Sequence, residues 1–597
     1  MANILKLPQE ILDNIFERSV GYDLKAFALC SKRALGLVSP TLYQRLVVRF
    51  DDTNLERFLF DGFHKYESVS DYRWENNLTA IFESSPFPLS FVRSVRCAST
   101  LQGRHYTELD PNIEYNWWKR IFGLFETQQL SSVSFSRDID VETLGGLVLS
   151  QKNLKKLFVE SLEPHGPGRK LQTIKIEQDT NLESLICGRI HPLTFPFFFQ
   201  LLSRSGRSLK SLQFASFPNP GMEEVMVQLE MMDPDQYGRE FRRTIYKSDF
   251  DAEMLRNLPQ PKIDLTCLKD LGISQIQNLT TLLEKCGEVK LNCPNLSRLL
   301  ILDCEYPEPF LRALLYPDSY RTSPKLKSLQ LDNYTCDWNA LEMIIKGLDS
   351  LEILQLVVYT DSPNSNLSHS YHDILNHCRH SLKRLWLDCH HYDGYVYTCT
   401  AMANLLDDTP TSLSFSSANW PMLEELVLGI PLQLYESECI WTEKLPIVRS
   451  IRVLAALVSN DMHMNPHFDS LALCAPLTDY AKRLYDSSIA EYSTPPALKA
   501  IRVDFYELDP IKDDICSRTV WYSVDFENDP RTGIIVPKVD ICPLYHLWEK
   551  AKRDPPCEWR FSNLVCGRPS GFWGDEQRVI DVNRSNRARY GNDEWLG

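Results

Sequence analysis

A spaced phrase, Leu-x-x-Leu-x-Leu, recurs along most of this chain and limits its fold more than any other feature. Clear copies are Leu154-Leu157-Val159, Leu209-Leu212-Phe214, Leu268-Leu271-Ile273, Leu296-Leu299-Ile301, Leu326-Leu329-Leu331, Leu351-Leu354-Leu356, Leu382-Leu385-Leu387 and Leu423-Leu426-Leu428. Looser copies are Val92-Val95-Cys97, Leu130-Val133-Phe135, Leu182-Leu185-Cys187, Val448-Ile451-Val453, Phe468-Leu471-Leu473 and Leu498-Ile501-Val503. The fourth and sixth positions fall on one side of a short strand, whose side chains alternate. Segments ahead of the phrases, such as 193–202, 279–286, 341–348 and 371–378, read as helices. One strand and one helix cannot bury their own apolar edge, so such pairs must stack on their neighbours.

The usual step between copies, about 24 to 31 residues, is the period of leucine-rich repeats. The expected fold class is therefore α/β, a leucine-rich-repeat solenoid or horseshoe over 91–505. Residues 506–597, rich in Trp, Pro and Gly, lose the phrase and are expected to cap the open end. The Met-bearing stretch with Met222, Met226, Met231 and Met232 is read as core filling.

With 79 acidic against 64 basic residues, the formal net charge is −15. That balance opposes polyanions, so neither nucleic acid nor a membrane is expected as a partner. No long apolar leader opens the sequence, and the stretch 192–202 is too short to cross a bilayer. The 17 cysteines lack framework spacing, which fits free thiols in the cytoplasm or nucleus.

The pattern carries no catalytic or metal-binding constellation. There is no glycine-rich phosphate loop, Cys-x-x-Cys pair or His-Glu-x-x-His phrase. His369, His372, His377, Cys378, His380, Cys389, His390 and His391 are dense, but their spacing does not converge four ligands on zinc. Adjacent acids such as Asp407-Asp408 and Glu424-Glu425 point apart in helix or strand. No enzymatic activity, metal or cofactor is expected.

The first 48 residues follow another pattern. Leu7-Pro8-Gln9-Glu10-Ile11-Leu12 places Pro8 in a first helical turn, with Ile11, Leu12, Ile15 and Phe16 on one face. Asp23-Leu24 opens a second helix, Cys30-Ser31-Lys32-Arg33 follows, and a third amphipathic piece is expected over 42–48 behind Pro40. These residues resemble the F-box, and the run Pro40-Thr41-Leu42-Tyr43 resembles its fungal members, which often carry leucine-rich repeats. Ala34 and Leu35 stand where many members have an aromatic.

The resemblance implies a small all-α F-box over 1–48, joined by linker helices over 49–90 to the repeats. It further implies docking of a Skp-type adaptor through Leu7, Pro8, Ile11, Leu12, Ile15, Phe16 and Leu24. The chain would then be the non-catalytic substrate-recognition subunit of a cullin-RING ubiquitin ligase. An adaptor-bound scaffold outside ubiquitination is the alternative, and a separate activity in the tail is a further one. For an unidentified protein substrate, the strand positions opposite the leucines are expected to face solvent. Those positions hold Arg298, Leu300, Gln330, Asp332, Gln355, Arg384, Trp386 and Asp388, with Trp386 as the expected anchor.

Overall fold

Parallel pairing turns the repeated phrase into two rows of buried side chains. The computed structural model describes residues 12, 27, 29–50, 56–60, 89–99, 122–163, 176–190, 194–216, 265–274, 293–302, 304, 307–315, 325–333, 338–360, 374–392, 397–398, 419–431, 442, 445–459, 473–509, 514–529, 531 and 534–541. It is α/β and divides into two interleaved units. Of the described residues the first holds those up to Ser216 with 265–270 and 293–295, and the second holds 271–274 and those from Leu296 on, so β8 (Asp270–Ser274) begins in one and continues in the other.

The first unit opens with helix α1 (Lys32–Leu42), whose N-cap Ser31 accepts a bond from the Ala34 amide through its hydroxyl. Val38 of this helix packs against Leu12, with Phe27, Leu37 and Tyr43 around them. Strand β1 (Arg45–Phe50) follows directly, then β2 (Glu56–Phe60) and β3 (Ser94–Ser99). The expected third helix over 42–48 is therefore mostly strand. Of the described residues in the expected helical linker, 49–50 and 56–60 are strand as well, and a single 3-10 turn, Leu89–Phe91, closes it. The reason is local: Leu46, Val47 and Val48 include β-branched side chains that suit a pleat. Leu46 and Val48 also lie in register with Val95 and Cys97 of β3.

Strand β4 (Ser132–Asp140) leads into α2 (Val141–Ser150), where Asp140 caps the Thr143 amide. Strands β5 (Lys156–Glu163) and β6 (Ser184–Ile190) precede α3 (Phe195–Ser205) and β7 (Ser211–Ser216). Along β1, β3, β4, β5, β6 and β7, all parallel, one row reads Leu46, Val95, Val133, Leu157, Leu185, Leu212. Each of these side chains is buried.

The second unit repeats the plan. Its elements are β9 (Arg298–Leu302), α4 (Glu308–Leu315), β10 (Ser328–Asn333), α5 (Trp338–Lys346), β11 (Ile353–Thr360) and β12 (Arg384–Tyr392). After the short β13 (Tyr397–Thr398) come β14 (Glu425–Pro431), β15 (Val453–Ser459), α6 (Cys474–Tyr492) and β16 (Ala500–Asp509). The core row is Leu299, Leu329, Leu354, Leu385, Leu426, Leu454, Ile501. All seven are at most 1 % exposed, so this row is the hydrophobic spine of the unit.

Two of the looser phrases are corrected. The register aligns Ile451-Leu454-Ala456 with its neighbours, three residues later than Val448-Ile451-Val453. Leu473 is not in a strand; it is the N-cap of α6, a helix that turns Leu477, Tyr480, Ala481, Leu484 and Ser488 inward. Its C-cap, Ser493, sits in the left-handed region at φ 56°. A Cβ is disfavoured there, so Ser493→Gly is expected to raise stability by about 0.5–1 kcal/mol, read as a higher urea midpoint.

Beyond β16 the parallel order ends. Strands β17 (Asp514–Asn528) and β18 (Ile535–Ile541) pair antiparallel, and Val520, Tyr522 and Val539 bury inward. β18 carries Pro537 and Lys538, residues that blunt an edge against further strand pairing. The helix expected over 544–552 lies outside the described residues, as does the one over 279–286. No described helix is long and apolar enough to cross a membrane.

Candidate functional site

Strand register brings the expected substrate positions of the second unit side by side. Leu300, Gln330, Gln355 and Trp386 occupy one row, and Asp332 and Asp388 share the next row with Val357. Exposure falls along the first row: Leu300 and Gln330 are half-buried, Gln355 is 4 % exposed and Trp386 8 %. The expectation that Trp386 faces solvent does not hold. The cause is legible in β11, β12 and β14, where Leu354-Gln355-Leu356-Val357, Leu385-Trp386-Leu387 and Leu426-Val427-Leu428 are nearly continuous apolar runs. Such runs belong to strands covered on both faces, and Val357 and Val427 are buried too.

Arg298 is exposed, but Arg384 is engaged. Its Nε lies 3.1 Å from Glu425 Oε2, across the β12–β14 pair, and both side chains are largely covered. Among the described residues, the Gln355 Nε2 and Trp386 Nε1 donors are buried without hydrogen-bond partners. Two such donors on paired positions make this row costly to desolvate. Of the expected adaptor contacts, Leu12 is a buried neighbour of Val38, while Leu7, Pro8, Ile11, Ile15, Phe16 and Leu24 lie outside the described residues.

A second site went unread in the sequence. In the first unit, the segments entering β3 to β8 border a cleft of ≈ 860 Å³. Its walls carry four cations, Arg93, Lys155, Arg207 and Lys210, against two carboxylates, Glu126 and Glu183. Backbone bonds fix the floor. Each strand-entering carbonyl accepts two amides from the next segment: Arg93 from Ser131 and Ser132, Lys155 from Glu183 and Ser184, Glu183 from Lys210 and Ser211. Side chains stitch the same segments together. Asn153 donates to the Gln128 carbonyl, Asn181 to Lys152 and the Ser208 hydroxyl to Leu182.

The charged groups themselves form a ladder. Glu183 accepts from Lys210 at 2.6 Å and from Lys155 at 3.0 Å. Those two ammonium groups hold its carboxyl down to about 2. A carboxyl depressed in the folded state stabilises above the ordinary carboxylate range and loses that contribution as pH falls toward 2. Arg93 donates instead to the Ser90 and Val92 carbonyls, so its charge is not neutralised there. The second unit has the same device, with Glu352 between Lys327 and Lys383 at 2.9 and 2.7 Å. Hydrogen bonds from Lys383 and Lys327 lower its carboxyl as well. The signal missed in the sequence was the second position of successive phrases, which reads Lys155, Glu183, Lys210 and then Lys327, Glu352, Lys383.

These arrangements offer charge and shape for binding. Among the described residues no group of His, Cys, Asp or Glu is arranged to hold a metal ion. The chain matches no protein-family model, and no curated protein is significantly similar to it.

Proposed function

We propose that this chain is a leucine-rich-repeat solenoid fronted by an F-box, serving as the substrate-recognition subunit of a cullin-RING ubiquitin ligase. The observation that carries this reading is an order of motifs. Leu7-Pro8-Gln9-Glu10-Ile11-Leu12, Asp23-Leu24 and Cys30-Ser31-Lys32-Arg33 stand ahead of a long run of Leu-x-x-Leu-x-Leu strands. The parallel strand rows support the solenoid, because stacked strand-and-helix pairs bury their edges only in series. Helix α1, capped by Ser31, supports a helical opening segment that leads straight into the first strand. Function in this reading is proximity. The opening segment holds a Skp-type adaptor, the repeats hold a protein substrate, and the ligase gains effective concentration of substrate lysines. Catalysis belongs to the other subunits, and the complex works in the cytoplasm or nucleus.

The test is affinity capture with the tagged full chain, probed for adaptor and cullin. Leu7→Ala/Pro8→Ala is expected to weaken adaptor binding by about 1–3 kcal/mol, the scale of a small apolar anchor. Adaptor association that survives deletion of residues 1–48 rejects the F-box reading. Adaptor without cullin replaces the ligase role with a scaffold role.

A further inference from the structure

We infer that the cleft at the strand entrances of the first unit is a binding site for an acidic, extended peptide segment of a partner protein. This inference does not depend on the adaptor function of the opening residues.

Charge is the first reason. In a chain of net charge −15, this cleft gathers Arg93, Lys155, Arg207 and Lys210 against Glu126 and Glu183. A single carboxylate, Glu183, is shared by two ammonium groups, which leaves both with unspent attraction for an incoming anion. Lys155 and Lys210 remain 59 % and 55 % exposed at the side chain, so an incoming carboxylate reaches them without unfolding anything.

Shape is the second reason. The cleft follows the entrances of β3, β4, β5, β6 and β7, which are neighbours in one parallel series. Four strand spacings make roughly 19 Å, the length of about six residues of extended chain. Lys155 and Lys210 converge on Glu183, but Arg93 and Lys210 stand at the two ends of that length, four strands apart, so the cleft favours separated carboxylates over one compact anion. The rim is preorganised. Asn153, Asn181 and Ser208 tie adjacent segments, and Gln128, held at φ 69°, donates its amide to Ser150 and accepts from Asn153. A non-glycine residue in that conformation persists only where its surroundings fix it. Polyphosphate partners are disfavoured because the whole-chain charge repels a long polyanion, whereas a short acidic segment meets only the local field.

The test uses the full chain and fluorescein-labelled octapeptides alternating Glu with Ser or Lys with Ser, read by anisotropy. Saturable binding of the Glu peptide is expected, with little binding of the Lys peptide. Lys155→Glu/Lys210→Glu should weaken the Glu peptide at least tenfold, and Lys155→Gln/Lys210→Gln should weaken it less. Glu183→Gln should tighten it several-fold, since it removes a competing carboxylate. An unchanged melting temperature in the Gln variants separates lost binding from lost folding. No saturable binding of the Glu peptide overturns the assignment, and so does binding that ignores all three variants. Tighter binding of an unlabelled single-stranded oligonucleotide in competition also overturns it, in favour of a nucleic-acid site.

Discussion

Replacing Trp386 with alanine is expected to lower the stability of the protein by about 3–5 kcal/mol, the range for truncating a large buried aromatic. Trp386 is 8 % exposed, with Gln355 and Val427 on the paired strands at 4 % and 3 %. Truncation removes most of that apolar contact and leaves a cavity which flanking strands cannot close without breaking their ladders. Phenylalanine at the same position is a sharper probe. It keeps much of the apolar area and removes the indole N–H that is buried without a partner among the described residues. Trp386→Phe is therefore expected to cost far less, under about 1.5 kcal/mol. Urea unfolding of the full chain followed by circular dichroism reads both variants. An unchanged midpoint for Trp386→Ala would return this residue to the exposed face, where a partner could anchor on it.

The leucine rows were legible because burial of the fourth and sixth phrase positions imposes both residue type and spacing. Leu354, Leu385 and Leu426 sit where the pattern put them. Registers near 450 were ambiguous for a physical reason: Val448, Ile451, Val453 and Leu454 satisfy the pattern in two frames. The Ser450 hydroxyl selects one, donating to the Leu423 carbonyl at 2.6 Å. Ser381 makes the same bond to Leu351, and Asn295 bonds the Thr266 carbonyl from the equivalent position. An Asn or Ser just before the first apolar residue was thus a readable stitch between successive segments. The phrase ending at Leu473 misled because Leu473 also heads a helical apolar pattern with Leu477, Tyr480, Ala481 and Leu484, and α6 is what forms.

Strand alternation failed as a guide to exposure where the second face is also covered. Gln355 and Trp386 lie opposite the leucines, as expected, yet they are buried. The cleft of the first unit escaped notice for a different reason. Its lining comes from six segments, each unremarkable alone, and only parallel pairing brings Arg93, Lys155 and Lys210 along one rim.

Arg384→Ala is expected to cost about 3–5 kcal/mol, comparable to Trp386→Ala, through a different mechanism. Arg384 and Glu425 face each other across β12 and β14 with side chains only 13 % and 7 % exposed. Attraction between two desolvated charges about offsets the cost of taking both from water. Removing the guanidinium alone leaves the Glu425 carboxylate desolvated and without that compensation, which is the expensive outcome. The double variant Arg384→Met/Glu425→Leu removes both charges while keeping volume. It should recover most of the loss, and buried pairs replaced this way sometimes gain about 1–4 kcal/mol. A double-variant cycle on urea midpoints separates the pair from simple truncation. If Arg384→Ala alone leaves the midpoint unchanged, the pair is not desolvated, and the guanidinium is available to a partner as the strand pattern first suggested.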